Sequence, residues 1–78
     1  MDLIVVRAAY DPDAAVWYVE SSDPLHGLNL EAETLDQLRD NLPNAVADLY
    51  EASGRFGQEV AIEIIAHTFT RLRTPAAA

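Results

Sequence analysis

The chain has no cysteine and no lysine among its 78 residues. Without cysteine there is no disulfide framework, no thiolate metal site and no thiol nucleophile. Without lysine, all side-chain positive charge rests on five arginines, set against thirteen acidic residues, for a net charge of −8. A surface so short of cations repels phosphate backbones, because nucleic-acid binding draws its affinity from neutralising them. Direct nucleic-acid binding is therefore not expected. Long apolar runs are also missing, and nothing approaches the ~20 residues a membrane span requires. Met1-Asp2-Leu3 puts an acid where a secretory leader needs positive charge. A cytoplasmic protein away from the membrane is the expectation.

Other absences bear on catalysis. The three glycines, Gly27, Gly54 and Gly57, do not form a phosphate-cradling loop. The serines are Ser21, Ser22 and Ser53, none in a Gly-x-Ser-x-Gly elbow or near a histidine in sequence. His26 and His67 stand far apart, with no helical i, i+4 ligand partner. His67 follows Glu63 by four residues on one face of a strand. Such a pair could hold a metal or tune the histidine, but a solvated pair is the commoner outcome. No catalytic residue, cofactor or metal ligand is expected, and the chain does not read as an enzyme.

What is present suits one small domain. Half the residues are apolar, enough for a core and too many for a disordered chain. A chain of this length buries only roughly 60% of its unfolded surface, so one modest core is the limit. Residues 1–73 form that domain, and residues 74–78 are expected as a disordered tail. A domain this small without staples often gains stability by self-association, so a homodimer or higher oligomer is expected.

Asp2–Tyr10 reads as a first strand, with the apolar run Leu3–Val6 at its start. Asp11-Pro12-Asp13-Ala14 carries Asp and Pro where a type I turn wants them, and Ala15–Ser22 resumes a strand, giving a hairpin. Leu28–Ala32 alternates apolar and polar residues as a short third strand. Thr34 and Gln37 have capping-box spacing at a helix start. Leu35, Leu38, Leu42, Ala45, Val46 and Leu49 form its stripe, and Gly54 suits its end. Pro43 predicts a kink or break near residues 41–43. Glu59–Thr70 returns to β character with Val60, Ile62, Ile64 and Ala66 on one face. The class is α+β, in the order β-β-β-α-β, with one helix to cover one sheet face.

Two surfaces could bind a partner. Trp17 and Tyr18 are neighbours on a strand and must point to opposite faces. One of them is then left on the face the helix cannot cover, where aromatic residues commonly anchor interfaces. The alternative is that both belong to the core. The second surface is an acidic rim around Asp23, Glu31 and Glu33, which would attract a basic partner. Acids beside a helix start also favour its dipole, which explains them without any function.

The segment AVWYVESSD, Ala15–Asp23, followed by GLNLEAETLDQL, Gly27–Leu38, resembles the HicB-like antitoxin superfamily. The helix end Ala45–Gly54 and the terminal EVAIEIIAH, Glu59–His67, extend the likeness to nearly the whole chain, which looks most like a short stand-alone branch of unassigned function. The resemblance implies a partial ribonuclease-H-like fold: a three-stranded antiparallel meander, one helix, and a fourth strand beside the first. It also implies binding to a small basic toxin, an mRNA interferase whose active site the antitoxin covers, and homodimers or higher oligomers. Two departures matter. Members that repress their own operon carry a DNA-binding module after this domain, whereas here Arg71 and Arg73 are the only basic cluster, so self-contained DNA binding is not expected. The first strand, LIVVRAA, lacks the carboxylates that two-metal ribonuclease-H chemistry needs. The competing expectation is an orphan regulatory domain that homo-oligomerises and binds another protein or a small ligand.

Overall fold

A computed structural model describes residues 1–77. Its elements are β1 (Asp2–Asp11), β2 (Val16–Asp23), β3 (Glu31–Ala32), α1 (Leu35–Ala52) and β4 (Val60–His67). They form one four-stranded sheet in the order β3-β2-β1-β4. β1, β2 and β3 are an antiparallel meander, and β4 returns parallel to β1. The α+β class, the element order and the place of the fourth strand beside the first all follow the sequence expectation.

The hairpin between β1 and β2 forms because Asp11 organises its own turn. Its Oδ1 accepts from the backbone amides of Asp13 and Ala14, at 3.0 and 3.3 Å. Pro12 supplies a preset φ in the same turn. Closure needs a left-handed residue as well, and Ala15 takes it, with φ of 56°.

The third strand is shorter than its alternation predicts. Only Glu31–Ala32 pair with β2, through Trp17↔Ala32 and Tyr18↔Glu31. Leu25 and Leu28, in the segment before it, are buried in the core. The Ser22 hydroxyl donates to the Leu25 carbonyl and pins that segment. One further tie joins it to the sheet, where the Val19 amide donates to the Leu30 carbonyl at 3.0 Å.

Helix α1 begins where the capping residue predicts, since the Gln37 amide donates to Thr34 Oγ1 at 3.1 Å. It ends in a Schellman arrangement. The Gly54 amide donates to the Glu51 carbonyl at 3.0 Å and the Arg55 amide to the Tyr50 carbonyl at 2.9 Å, with Gly54 at φ of 78°. The break expected near Pro43 does not occur, because α1 runs unbroken from Leu35 to Ala52. Pro43 and Arg39 both lie on the exposed side. Water can therefore serve the carbonyl that Pro43 leaves without a donor. Packing of the opposite side holds the helix together.

That opposite side carries Leu38, Leu42, Val46 and Tyr50, four residues apart and all buried. Leu42, Val46 and Tyr50 meet Ile4 and Val6 of β1, with Leu25 and Leu28 closing the edge. Each fully buried aliphatic side chain contributes about 1.5–3 kcal/mol. Val60, Ile62 and Ile64 of β4 pack against this core only in part. A single helix covers the middle of the sheet and leaves β4 at its margin.

Candidate functional site

The strand registers decide which residues share the uncovered face. Ile4, Val6 and Ala8 are buried on the helix side, and Ala8 pairs with Val19 while Tyr10 pairs with Trp17. Trp17 thus lies on the helix side, its ring 5.4 Å from that of Tyr10 and tilted by 57°. Tyr18 lies on the open face. The choice left open between the two aromatics falls to Tyr18.

A cross-sheet row runs through Tyr18 on that face. Glu31 pairs with Tyr18, Tyr18 with Ala9, and Ala9 with His67, one residue from each strand. With strands about 4.8 Å apart, the row spans roughly 14 Å. The next row holds Ser21, Arg7 and Ile65, and the one beyond it Asp23, Val5 and Glu63. Leu3 ends the face, 52% exposed, and Ile65 is 40% exposed.

His67 does not pair with Glu63. Its Nε2 stands 3.0 Å from Glu20 Oε2, across the width of β1. Two features make this possible. The register slips between Arg7 and Ala8, so that Glu20 is an extra residue of β2 with no partner in β1. Ala9 between them has only a methyl group, and is itself buried. The i, i+2 rule placed His67 on the right face, but it could not see a bulge two strands away.

The acidic rim is not one cluster. Glu31 lies beside Tyr18, and Glu33 is exposed between β3 and the helix. Asp23 shares the open face but sits five residues along β2 from Tyr18, roughly 17 Å away. Arg39, meanwhile, faces Asp36 and Asp40 at 3.6 and 3.7 Å on the exposed side of α1. The open face is consequently a shallow surface with an aromatic residue, two exposed aliphatics and a surround of carboxylates. Such a surface suits docking of another macromolecule better than enclosure of a small substrate.

A second feature lies on the helix side. An open groove of about 270 Å³ separates the C-terminal half of α1 from β4, lined by Val46, Ala47, Tyr50, Phe56, Val60 and Ile62 among others. Phe56 on its rim is 69% exposed. At its floor the Tyr50 hydroxyl donates to Asp2 Oδ2 at 3.1 Å, and the Arg55 guanidinium sits 4.2 Å over the Tyr50 ring. Burial, together with the hydrogen bond to Asp2, raises the Tyr50 phenol above its ordinary value. Sequence reading missed this groove, because Tyr50 lay at the end of the leucine stripe and Phe56 in a loop.

Among the described residues no group of three His, Cys, Asp or Glu side chains could hold a metal ion. No helix of the described chain is long and apolar enough to cross a membrane.

Comparison with known proteins fits this fold. No curated protein matches the chain. Among solved structures, a hypothetical protein from the extremely thermophilic bacterium Thermus thermophilus is 33% identical. The match has a TM-score of 0.64 and covers 92% of this chain and 99% of that one. A family pattern described as a domain of unknown function, DUF1902, matches residues 3–76. With nearly its whole length matched, the chain belongs to the DUF1902 family.

Proposed function

We propose that this chain is a cytoplasmic protein-binding module of the HicB-like antitoxin kind, and that its open sheet face docks a small basic protein. On this reading the partner is an mRNA-interferase toxin, and docking covers its active site. The observation that carries the proposal is the row Glu31, Tyr18, Ala9 and His67, with the exposed Ile65 and Leu3 beside it on a face no helix covers. Tyrosine beside exposed aliphatics supplies apolar contact area. Glu20, Glu31, Glu63 and Asp23 around them match a cationic surface, and a net charge of −8 steers such a partner inward. The likeness of AVWYVESSD and GLNLEAETLDQL to HicB-like antitoxins supplies the toxin as the partner.

The test is gentle purification at low salt with the neighbouring genes co-expressed. A basic protein of comparable size should co-purify, leave as salt rises, and arrest growth when expressed without this chain. Charge reversal on the face, Tyr18→Arg with Glu31→Lys, should abolish both capture and rescue while leaving the fold intact. Free protein at low salt together with no rescue of growth would sink the proposal.

A further inference from the structure

The groove between α1 and β4 is not filled by its own chain. Residues 68–77 are exposed coil that departs from His67, the end of β4 away from Val60. Ala78, the last residue of the expected tail, lies outside the described residues. At about 270 Å³ the groove falls just under the roughly 300–1,000 Å³ usual for drug-sized ligands, so it suits a body the size of one residue. Its apolar wall is formed by Val46, Phe56, Val60 and Ile62, with Phe56 exposed on the rim. An apolar group laid against that wall takes aromatic surface out of water.

Two side chains of opposite charge, Glu51 and Arg55, line the same groove. Arg55 is fixed from two sides. Its guanidinium lies 4.2 Å over the Tyr50 ring, and its Nε donates to Ser53 Oγ at 3.1 Å. That hydroxyl in turn donates to the Tyr50 carbonyl at 2.9 Å, and the Tyr50 phenol is tied to Asp2 of β1. The ion pairs among the described residues involve Arg39 and His67, so the terminal amino groups of Arg55 are oriented with no carboxylate of their own. A guanidinium held in this way loses little freedom on binding, and its fork matches a carboxylate with two hydrogen bonds. Glu51, exposed in the last turn of α1, supplies an acceptor for an ammonium group.

Charge narrows the ligand further. A simple anion approaches against a net charge of −8, and a simple amine leaves Arg55 without a counter-charge. A zwitterion carries no net charge and answers both groups at once. Arg55 also borders a hollow beside Leu25 and His26, but no acidic residue lines that one. We propose that the groove binds a free α-amino acid with an apolar side chain, its carboxylate on Arg55, its ammonium on Glu51 and its side chain against Phe56, Val60 and Ile62. The site lies on the helix side of the sheet, away from Tyr18, so it does not depend on the toxin-binding proposal.

Calorimetric titration of the whole chain tests it, with L-leucine and L-phenylalanine as probes. One or both should bind with a Kd of about 1 mM or below, and the amide signals of Glu51, Arg55, Phe56 and Val60 should shift in a parallel NMR titration. Glycine lacks the apolar side chain, 3-phenylpropanoate the ammonium and 2-phenylethylamine the carboxylate. Each should bind at least about tenfold more weakly than the better amino acid, as should L-leucine or L-phenylalanine to Arg55→Gln and Glu51→Gln chains. Both altered residues are exposed, and circular dichroism checks that the fold is retained. Tyr18→Arg with Glu31→Lys should leave the titration unchanged, which separates this site from the open face. No binding of either amino acid up to about 10 mM overturns the inference. So does binding of 3-phenylpropanoate or 2-phenylethylamine as tight as that of L-phenylalanine, or binding that neither Arg55→Gln nor Glu51→Gln weakens.

Discussion

Single residues settle several local questions in this protein. Ala15 holds φ of 56° at the close of the β1–β2 turn, a conformation that costs an ordinary L-residue about 1–2 kcal/mol. Glycine adopts it freely but loses more entropy on folding. Ala15→Gly should therefore stabilise the domain by about 0.5–1 kcal/mol, seen as a rise of several degrees in Tm. A lowered Tm would show that the turn is not under this strain. Tyr50 gives a pH-dependent expectation. Its folded-state pKa lies above the ordinary 10.0, chiefly because the phenol is buried and also because it donates to Asp2. The folded state then holds the phenolic proton more tightly than the unfolded chain does. The associated stability is fully present below pH 10 and is lost as pH rises through the higher folded value. Urea melts taken on either side of pH 10 should show this loss, and Tyr50→Phe should remove that part of it. The Glu20–His67 contact is half-exposed on both sides, and exposed pairs contribute at most about 1 kcal/mol. Its importance lies in shaping the open face around Ala9.

At the scale of elements, α1 shows what packing can override. Pro43 removes a donor in mid-helix, yet the helix continues, because Leu38, Leu42, Val46 and Tyr50 are buried along its inner side. The stripe decides the outcome over the proline. Leu42, fully buried at the centre of the cluster, should cost about 2–5 kcal/mol when changed to Ala, enough to unfold much of a domain this small. Thr34→Ala should cost about 1 kcal/mol through the lost cap. Equilibrium denaturation of both variants checks the order, and a larger effect at Thr34 than at Leu42 would contradict this view of the core. β3 shows the converse. Its alternation satisfied the strand pattern over Leu28–Ala32, yet only Glu31 and Ala32 pair with β2, while Leu25 and Leu28 lie in the core outside the ladder.

At the scale of the whole molecule, one helix on a four-stranded sheet leaves two surfaces without cover. The open face and the β4 margin differ in chemistry. The first is aromatic and ringed by acids, and the second is an apolar edge with a groove. If the open face docks a basic partner, its association rate should fall steeply with ionic strength, because the steering is long-range. Tyr18→Ala should act mainly on the lifetime of the complex, because a central aromatic anchor is a short-range contact. Stopped-flow and dissociation measurements separate the two. A Tyr18→Ala variant altered only in association rate would point away from the open face as the docking site.

Much of this protein follows from local pattern alone. The hairpin at Asp11-Pro12, the cap at Thr34, the stop at Gly54 and the inward face of β4 are short-range consequences of hydrogen-bonding geometry and of the two side-chain periodicities. The one-sided sheet follows from counting elements. Tertiary structure alone decided that Trp17 turns toward the helix side and Tyr18 away, because strand parity becomes a direction only once the register with Ile4, Val6 and Ala8 is set. It also decided that His67 meets Glu20 through a bulge, that Asp23 lies apart from Glu31, and that Tyr50 and Phe56 line a groove. Each of these depends on how segments distant in the chain are set against one another, which no local propensity encodes.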